Sequence, residues 1–143
     1  MLYILDTDIC SHIIRKHPRK VLEAMDAAVQ QGHEIAISVI TYAELLLGAK
    51  RSGSPAKHLA LIGELRERLH GIHPWDACAA ERFAELQALL LSHGTPIGPN
   101  DTLIAAHVLS LGATLVTNNA KHFGKVPALN MANWADPGEG TAG

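Results

Sequence analysis

Short apolar runs alternate along this chain with longer segments of helical periodicity. Leu2-Tyr3-Ile4-Leu5 is an unbroken apolar run, too short for a helix, and reads as a buried strand. Ile35-Ala36-Ile37 and Thr114-Leu115-Val116-Thr117 read the same way. Gly71-Ile72-His73-Pro74 is a weaker candidate, and a last short strand is expected near residues 128–131. A short helix is expected over residues 8–15. Pro18 suits the first turn of a second helix, with Val21, Leu22, Met25, Ala28 and Val29 on one face and Gly32 as its stop. Ser38 is placed to cap a helix running to about Gly48 or a turn beyond. Ser54-Pro55 opens another, with Leu59, Ile62, Leu65 and Leu69 at helical spacing. Asp76 is expected to cap a long helix carrying Phe83, Leu86 and Leu90. Thr95 to Pro99 reads as a loop, and Asn100 as the cap of a helix that buries Leu103, Ile104, Val108 and Leu111 and ends at Gly112. Strands separated by helices predict an α/β fold, with a parallel sheet covered on both faces.

No internal repeat or linker breaks this pattern. Residues 1–135 are expected to form one domain, and the polar, Gly-rich residues 136–143 a disordered tail. A chain of 143 residues can bury a real core. It contains no stretch of 18 uncharged apolar residues, so no membrane span is expected. The N-terminus lacks the pattern of a secretion signal, which predicts a cytoplasmic protein. Cys10 and Cys78 follow no metal-site spacing and are expected as free thiols. The net charge of −2 with neutral histidines excludes a strongly basic, general nucleic-acid binder. An enzyme acting on nucleic acid remains open, because local patches matter more than the sum. Arg15, Lys16, Arg19 and Lys20 form one basic cluster, and Lys50 and Arg51 another; each is either a solvated helix end or a phosphate-contacting rim.

The candidate chemistry lies where the apolar elements stop. Asp6 follows the first strand, where parallel α/β sheets place their ligands, and would equally well cap the next helix. Asp8 could cap the same helix. Glu44 is the only acidic residue in an apolar helical segment, which argues against a fully solvated position. Asp101 sits in the first turn of its helix, where a carboxylate also complements the helix dipole. Asn119 follows the strand ending at Thr117 and would serve as a plain turn residue. Carboxylates gathered in a low-dielectric site repel one another unless a cation sits between them, and hard oxygen donors suit Mg²⁺ or Mn²⁺. The nine histidines do not point elsewhere: His70 and His73 are three apart, without partners at zinc spacing. No nucleophile elbow or Gly-rich phosphate loop is present.

These segments together resemble the PIN-domain ribonucleases, and within them the VapC toxins of type II toxin–antitoxin systems. Leu5-Asp6-Thr7-Asp8-Ile9-Cys10 looks like the family's opening motif, and residues 37–45, Ile-Ser-Val-Ile-Thr-Tyr-Ala-Glu-Leu, like its second. Residues 94–101 with Ile104-Ala105-Ala106-His107 look like the third, and Thr117-Asn118-Asn119 like the fourth. The resemblance runs from Leu2 to Trp134. It implies a three-layer α/β/α PIN-like fold with a central parallel sheet. It also implies Mg²⁺-dependent endoribonuclease activity, with Mn²⁺ as a substitute, on RNA, with tRNA as the default substrate. Homodimerisation and a small VapB-like antitoxin that blocks the cleft are implied as well. Asp6, Glu44 and Asp101 are carried over as catalytic, metal-binding residues, with Thr7, Asp8, Thr117 and Asn119 in support. Two positions depart from the family's common pattern. Asn119 stands where many PIN domains have aspartate, and Asp8 where asparagine is frequent.

Two other readings compete. Asp6-Thr7-Asp8 imitates the opening of haloacid-dehalogenase phosphatases, but Cys10 stands where that pattern needs threonine, and Ala105 breaks its later acidic pair. A PIN-like module that binds RNA or an antitoxin without cutting is the non-enzymatic alternative, and the neutral Asn119 is what favours it.

Overall fold

The apolar runs become five parallel strands: β1 (Leu2–Leu5), β2 (Glu34–Ser38), β3 (Gly71–His73), β4 (Thr114–Val116) and β5 (Asn130–Ala132). The helices among the described residues are α1 (Thr7–Arg15), α2 (Arg19–Gln30), α3 (Val39–Lys50), α4 (Pro55–Arg68), α5 (Ala77–Ser92), α6 (Pro99–Leu111) and α7 (Ala120–Phe123). This computed structural model describes residues 1–135, and the expected tail lies outside them.

Side chains alternate across a strand, and the alternation makes two cores. Leu5, Ile35, Ile37 and Val116 pack with α1 to α4 on one face. Ile4, Ala36 and Leu115 pack with α5, α6 and Phe123 of α7 on the other. Each such aliphatic side chain contributes about 1.5–3 kcal/mol when fully buried. Because both faces are covered, the interiors of the central strands are apolar, and polar residues (Glu34, Ser38, Thr114) stand only at strand ends.

The sheet order is β3-β2-β1-β4-β5. The chain winds outward from β1 to β3, then crosses back to lay β4 on the other side of β1. Parallel sheets bind ligands at such a reversal, beyond the carboxyl ends of the strands. The register sets Leu5 beside Val116, so the next residues, Asp6 and Thr117, open onto that crevice together.

Four boundaries differ from the sequence expectation. Helix α1 begins at Thr7 because Asp6 caps it. Pro18 is the cap of α2 rather than a residue in its first turn. Helix α6 starts at Pro99 with Gly98 at the cap position, so Asn100 is not the cap but lies within the first turn. Proline needs no N–H partner there, and its fixed φ suits the first helical position. Strand β5 starts at Asn130, since Ala128 has φ +64°, outside the strand region. Helix α7 is absent from the sequence expectation, because four residues are too few to show a period. No helix among the described residues is long and apolar enough to cross a membrane. Both cysteines are free, Cys10 buried and Cys78 exposed.

Candidate active site

Asp6 is both a cap and a site residue. Its Oδ1 accepts from the Ile9 N–H at 2.8 Å, closing the first turn of α1. Its Oδ2 accepts from the Thr117 hydroxyl, which comes from the end of β4. Only 4% of Asp6 is exposed. Burial raises its pKa from the ordinary 3.8 to about 6; the charges of Asp8 and Asp101 add to the rise, and the Thr117 and Ile9 hydrogen bonds oppose it. A buried carboxylate among other carboxylates is costly to ionise alone, and a cation offsets that cost.

Glu44 reaches the crevice from α3. Its Oε1 accepts from the Thr7 hydroxyl at 2.6 Å, and its Oε2 from the Asn100 amide at 3.1 Å. Three segments distant in sequence are thereby joined at one side chain. Asp101, on the first turn of α6, is half-buried and meets His122 Nδ1 at 2.9 Å. Burial raises the Asp101 carboxyl, the charges of Glu44 and Asp8 add to that, and His122 opposes it. Asp8 and Asp101 act on Asp6, and Glu44 and Asp8 act on Asp101, which puts the four acidic residues within one electrostatic neighbourhood.

The supporting positions fall into place unevenly. Thr7 and Thr117 each donate to one of the carboxylates. Asp8 is exposed on the first turn of α1 and acts through its charge. Asn119 is more than a turn residue: it caps α7, with its Oδ1 accepting from the His122 N–H at 3.3 Å. Asn100 and His122, neither of them among the sequence candidates, hold Glu44 and Asp101. In the sequence Asn100 looks only like a helix cap, and His122 lies in the unexpected α7; its one signal is its place three residues after the capping Asn119.

Two further residues link the helices that carry Glu44 and Asp101. Ser38 caps α3, the helix of Glu44, and its hydroxyl lies 2.8 Å from His107 Nδ1 on α6, the helix of Asp101. Both residues are fully enclosed. Burial lowers the His107 pKa, with His73 adding to the effect, while the Pro74 carbonyl accepts from the ring. A neutral ring protonated at Nε2 satisfies both contacts: Ser38 donates to Nδ1 and Nε2 donates to Pro74. His70 and His73 do not form a ligand pair. His70 Nδ1 accepts from the Ile35 N–H, and His73 packs edge-on against His107.

Among the described residues no three His, Cys, Asp or Glu side chains are grouped closely enough to hold a metal ion as they stand. The donor set is nonetheless made of hard carboxylate oxygens from Asp6, Glu44 and Asp101, two of them raised in pKa by burial and mutual repulsion. That chemistry fits a hard divalent cation, and does not fit zinc held by nitrogen or sulfur.

The sequence profile of the PIN domain matches residues 3–129. The chain is 36% identical over 133 residues to the tRNA(fMet)-specific endonuclease VapC of Shigella flexneri, covering 93% of this chain and 98% of that one. It is 37% identical over 134 residues to ribonuclease VapC2 of Rickettsia felis, covering 94% and 98%. In three dimensions it is similar to the crystal structure of VapBC2 from Rickettsia felis bound to a DNA fragment from their promoter. There the TM-score is 0.89 at 36% identity, over 94% of this chain and 99% of that one. The acidic crevice at the switch point thus sits in a chain that matches this family over most of its length, and the protein belongs to the PIN-domain family, among the VapC ribonucleases of toxin–antitoxin systems.

Proposed function

We propose that this chain is the toxin of a type II toxin–antitoxin pair, a Mg²⁺-dependent endoribonuclease acting on tRNA, with residues 1–135 as its PIN domain. The observation that carries the reading is the convergence of Asp6, Glu44 and Asp101 at the carboxyl end of β1, each with a protein donor fixing its side chain. PIN nucleases require a divalent metal. Asp6, Glu44 and Asp101 would hold it, directly or through water. Such a cation, when bound, acidifies an attacking water and offsets charge building on the phosphate. Thr117 and Thr7 orient the Asp6 and Glu44 carboxylates, and His122 orients Asp101. Attack on phosphorus with departure of the 3′ oxygen leaves a 5′-phosphate and a 3′-hydroxyl. Asn119 brings no charge and its oxygen caps α7, so the proposed ligands are Asp6, Glu44 and Asp101, a set that supports one firmly held cation rather than two.

The relatives supply the substrate and the partner. The Shigella flexneri relative is named for tRNA(fMet), which supports tRNA here. The VapBC structures support a VapB-like antitoxin for this chain. The proposed working unit is a homodimer, as the resemblance implies, and sedimentation equilibrium checks it. The experiment for the activity is cleavage of purified tRNA with Mg²⁺, with Mn²⁺ and with EDTA, beside Asp6→Asn, Glu44→Gln and Asp101→Asn. Cleavage by wild type alone, abolished by EDTA, is expected. Equal cleavage by all four proteins would sink the site assignment. The non-cleaving alternative predicts Mn²⁺ heats in calorimetry no larger than buffer, and intact tRNA throughout.

A further inference from the structure

Two hollows flank Glu44. One, of about 530 Å³, lies between α1, α3 and α4, with Arg15 on one wall and Lys57 and His58 on the other. The second, of about 440 Å³, lies between the end of α3 and the start of α6, and is lined by Arg51 and Asn100. Glu44 and Gly48 line both. Both hollows therefore border the same stretch of α3, and Gly48, exposed one helical turn beyond Glu44, is the saddle between them.

The charge of this trough opposes that of the chain. The net charge is −2, yet Glu44 is the only carboxylate on either hollow, while Arg15, Lys57 and Arg51 bring three cations. None of the three is ion-paired among the described residues; the ion pairs there involve Arg19, Arg68 and His122. Unpaired cations on both sides of a cleavage site match phosphates on both sides of a scissile bond.

Gly48 gives an independent sign. It lies inside α3, where glycine is weaker than alanine. Its φ is not in the left-handed region, and a Cβ there would meet no atom within 4 Å. Neither backbone nor packing asks for glycine. What the missing side chain keeps open is the saddle, where a ligand backbone can approach the helix closely.

We propose that this trough carries the sugar-phosphate backbone of the RNA, with Arg15 and Lys57 holding phosphates on one side of Glu44, Arg51 on the other, and the strand crossing low over Gly48. The inference rests on the ribonuclease reading and adds a path for the substrate. The test uses the full chain, a fluorescein-labelled tRNA anticodon stem-loop as probe, and the Asp6→Asn background for binding without cleavage. Gly48→Ala is expected to raise Tm, because it improves the helix, and yet to weaken RNA binding about tenfold. A purely structural glycine would not split these two readouts. Arg51→Gln and Lys57→Gln are each expected to lower the slope of log affinity against log salt by about 1. In the cleaving protein they raise KM and leave kcat in place, while Arg82→Gln, beside a separate hollow between α5 and α6, changes neither. If wild type cleaves and all three trough variants keep its KM and salt slope, the trough is overturned and the ribonuclease reading stands. The trough is equally overturned if those variants weaken only the capture of a partner protein, which would make it a protein-docking surface. If wild type binds the probe with these effects but never cleaves, the trough stands and the ribonuclease reading fails.

Discussion

Replacing Asp6 by asparagine should stabilise the protein at neutral pH while ending its activity. The side chain is almost fully enclosed, and burial lifts its pKa from 3.8 to about 6. At about 1.4 kcal/mol per pH unit, that rise makes the ionised carboxylate cost the fold about 3 kcal/mol. Between pH 3.8 and about 6, the native state keeps a proton that the unfolded chain has lost, so stability falls as pH rises through this window and is fully present below it. Asparagine caps helices about as well as aspartate, so the bond from the Ile9 N–H survives in Asp6→Asn. The Asn amide can also face the Thr117 hydroxyl, which can accept as well as donate. The assay is urea unfolding of both proteins from pH 4 to 8 in EDTA. The expected result is a variant more stable at pH 7 by up to about 3 kcal/mol, with the gap closing toward pH 4. Mg²⁺ at a hundred times its Kd should return about 2.7 kcal/mol to wild type only. A gap that does not change with pH, or a variant less stable at pH 7, would refute the reasoning.

Thr7→Val removes the 2.6 Å donor to Glu44; a charge-assisted bond of about 1.5–3 kcal/mol predicts a kcat lower by roughly 10- to 100-fold, with Thr7→Ser keeping most of the activity in a tRNA cleavage assay. Ser38→Ala deletes the cap of α3 and leaves the enclosed His107 Nδ1 without its donor, a combined loss of about 2–4 kcal/mol by urea unfolding. Phe123→Ala empties a fully buried position beneath α7 and should cost about 3–5 kcal/mol. Because α7 also carries His122, calorimetry of that variant should show weaker Mn²⁺ binding as well.

Much of this protein is legible in the order of its residues. The unbroken apolar runs announce strands buried on both faces, and helical segments between them imply parallel pairing. Asp6 and Asp101 stand out as charges at the edge of an apolar element, and Glu44 as the acidic residue inside one; in none of the three does solvation alone explain the charge. For Asp6 the sequence poses a choice between cap and site that the structure dissolves, since one oxygen serves each purpose. What the sequence does not convey is the partners of these carboxylates. Asn100 and Glu44 are separated by 56 positions, and Thr117 and Asp6 by 111. Nothing local marks such a pair; β1 lying between β2 and β4 creates it. His122 is hidden for the same reason, in a four-residue helix too short to leave a period. The sequence by itself determined the strands and every helix long enough to show a period, because hydrophobic periodicity is a local property of the chain. Only the tertiary structure decided which polar atoms face one another, how deeply Asp6 is buried and that two hollows share Gly48, because those depend on the order in which the strands pack.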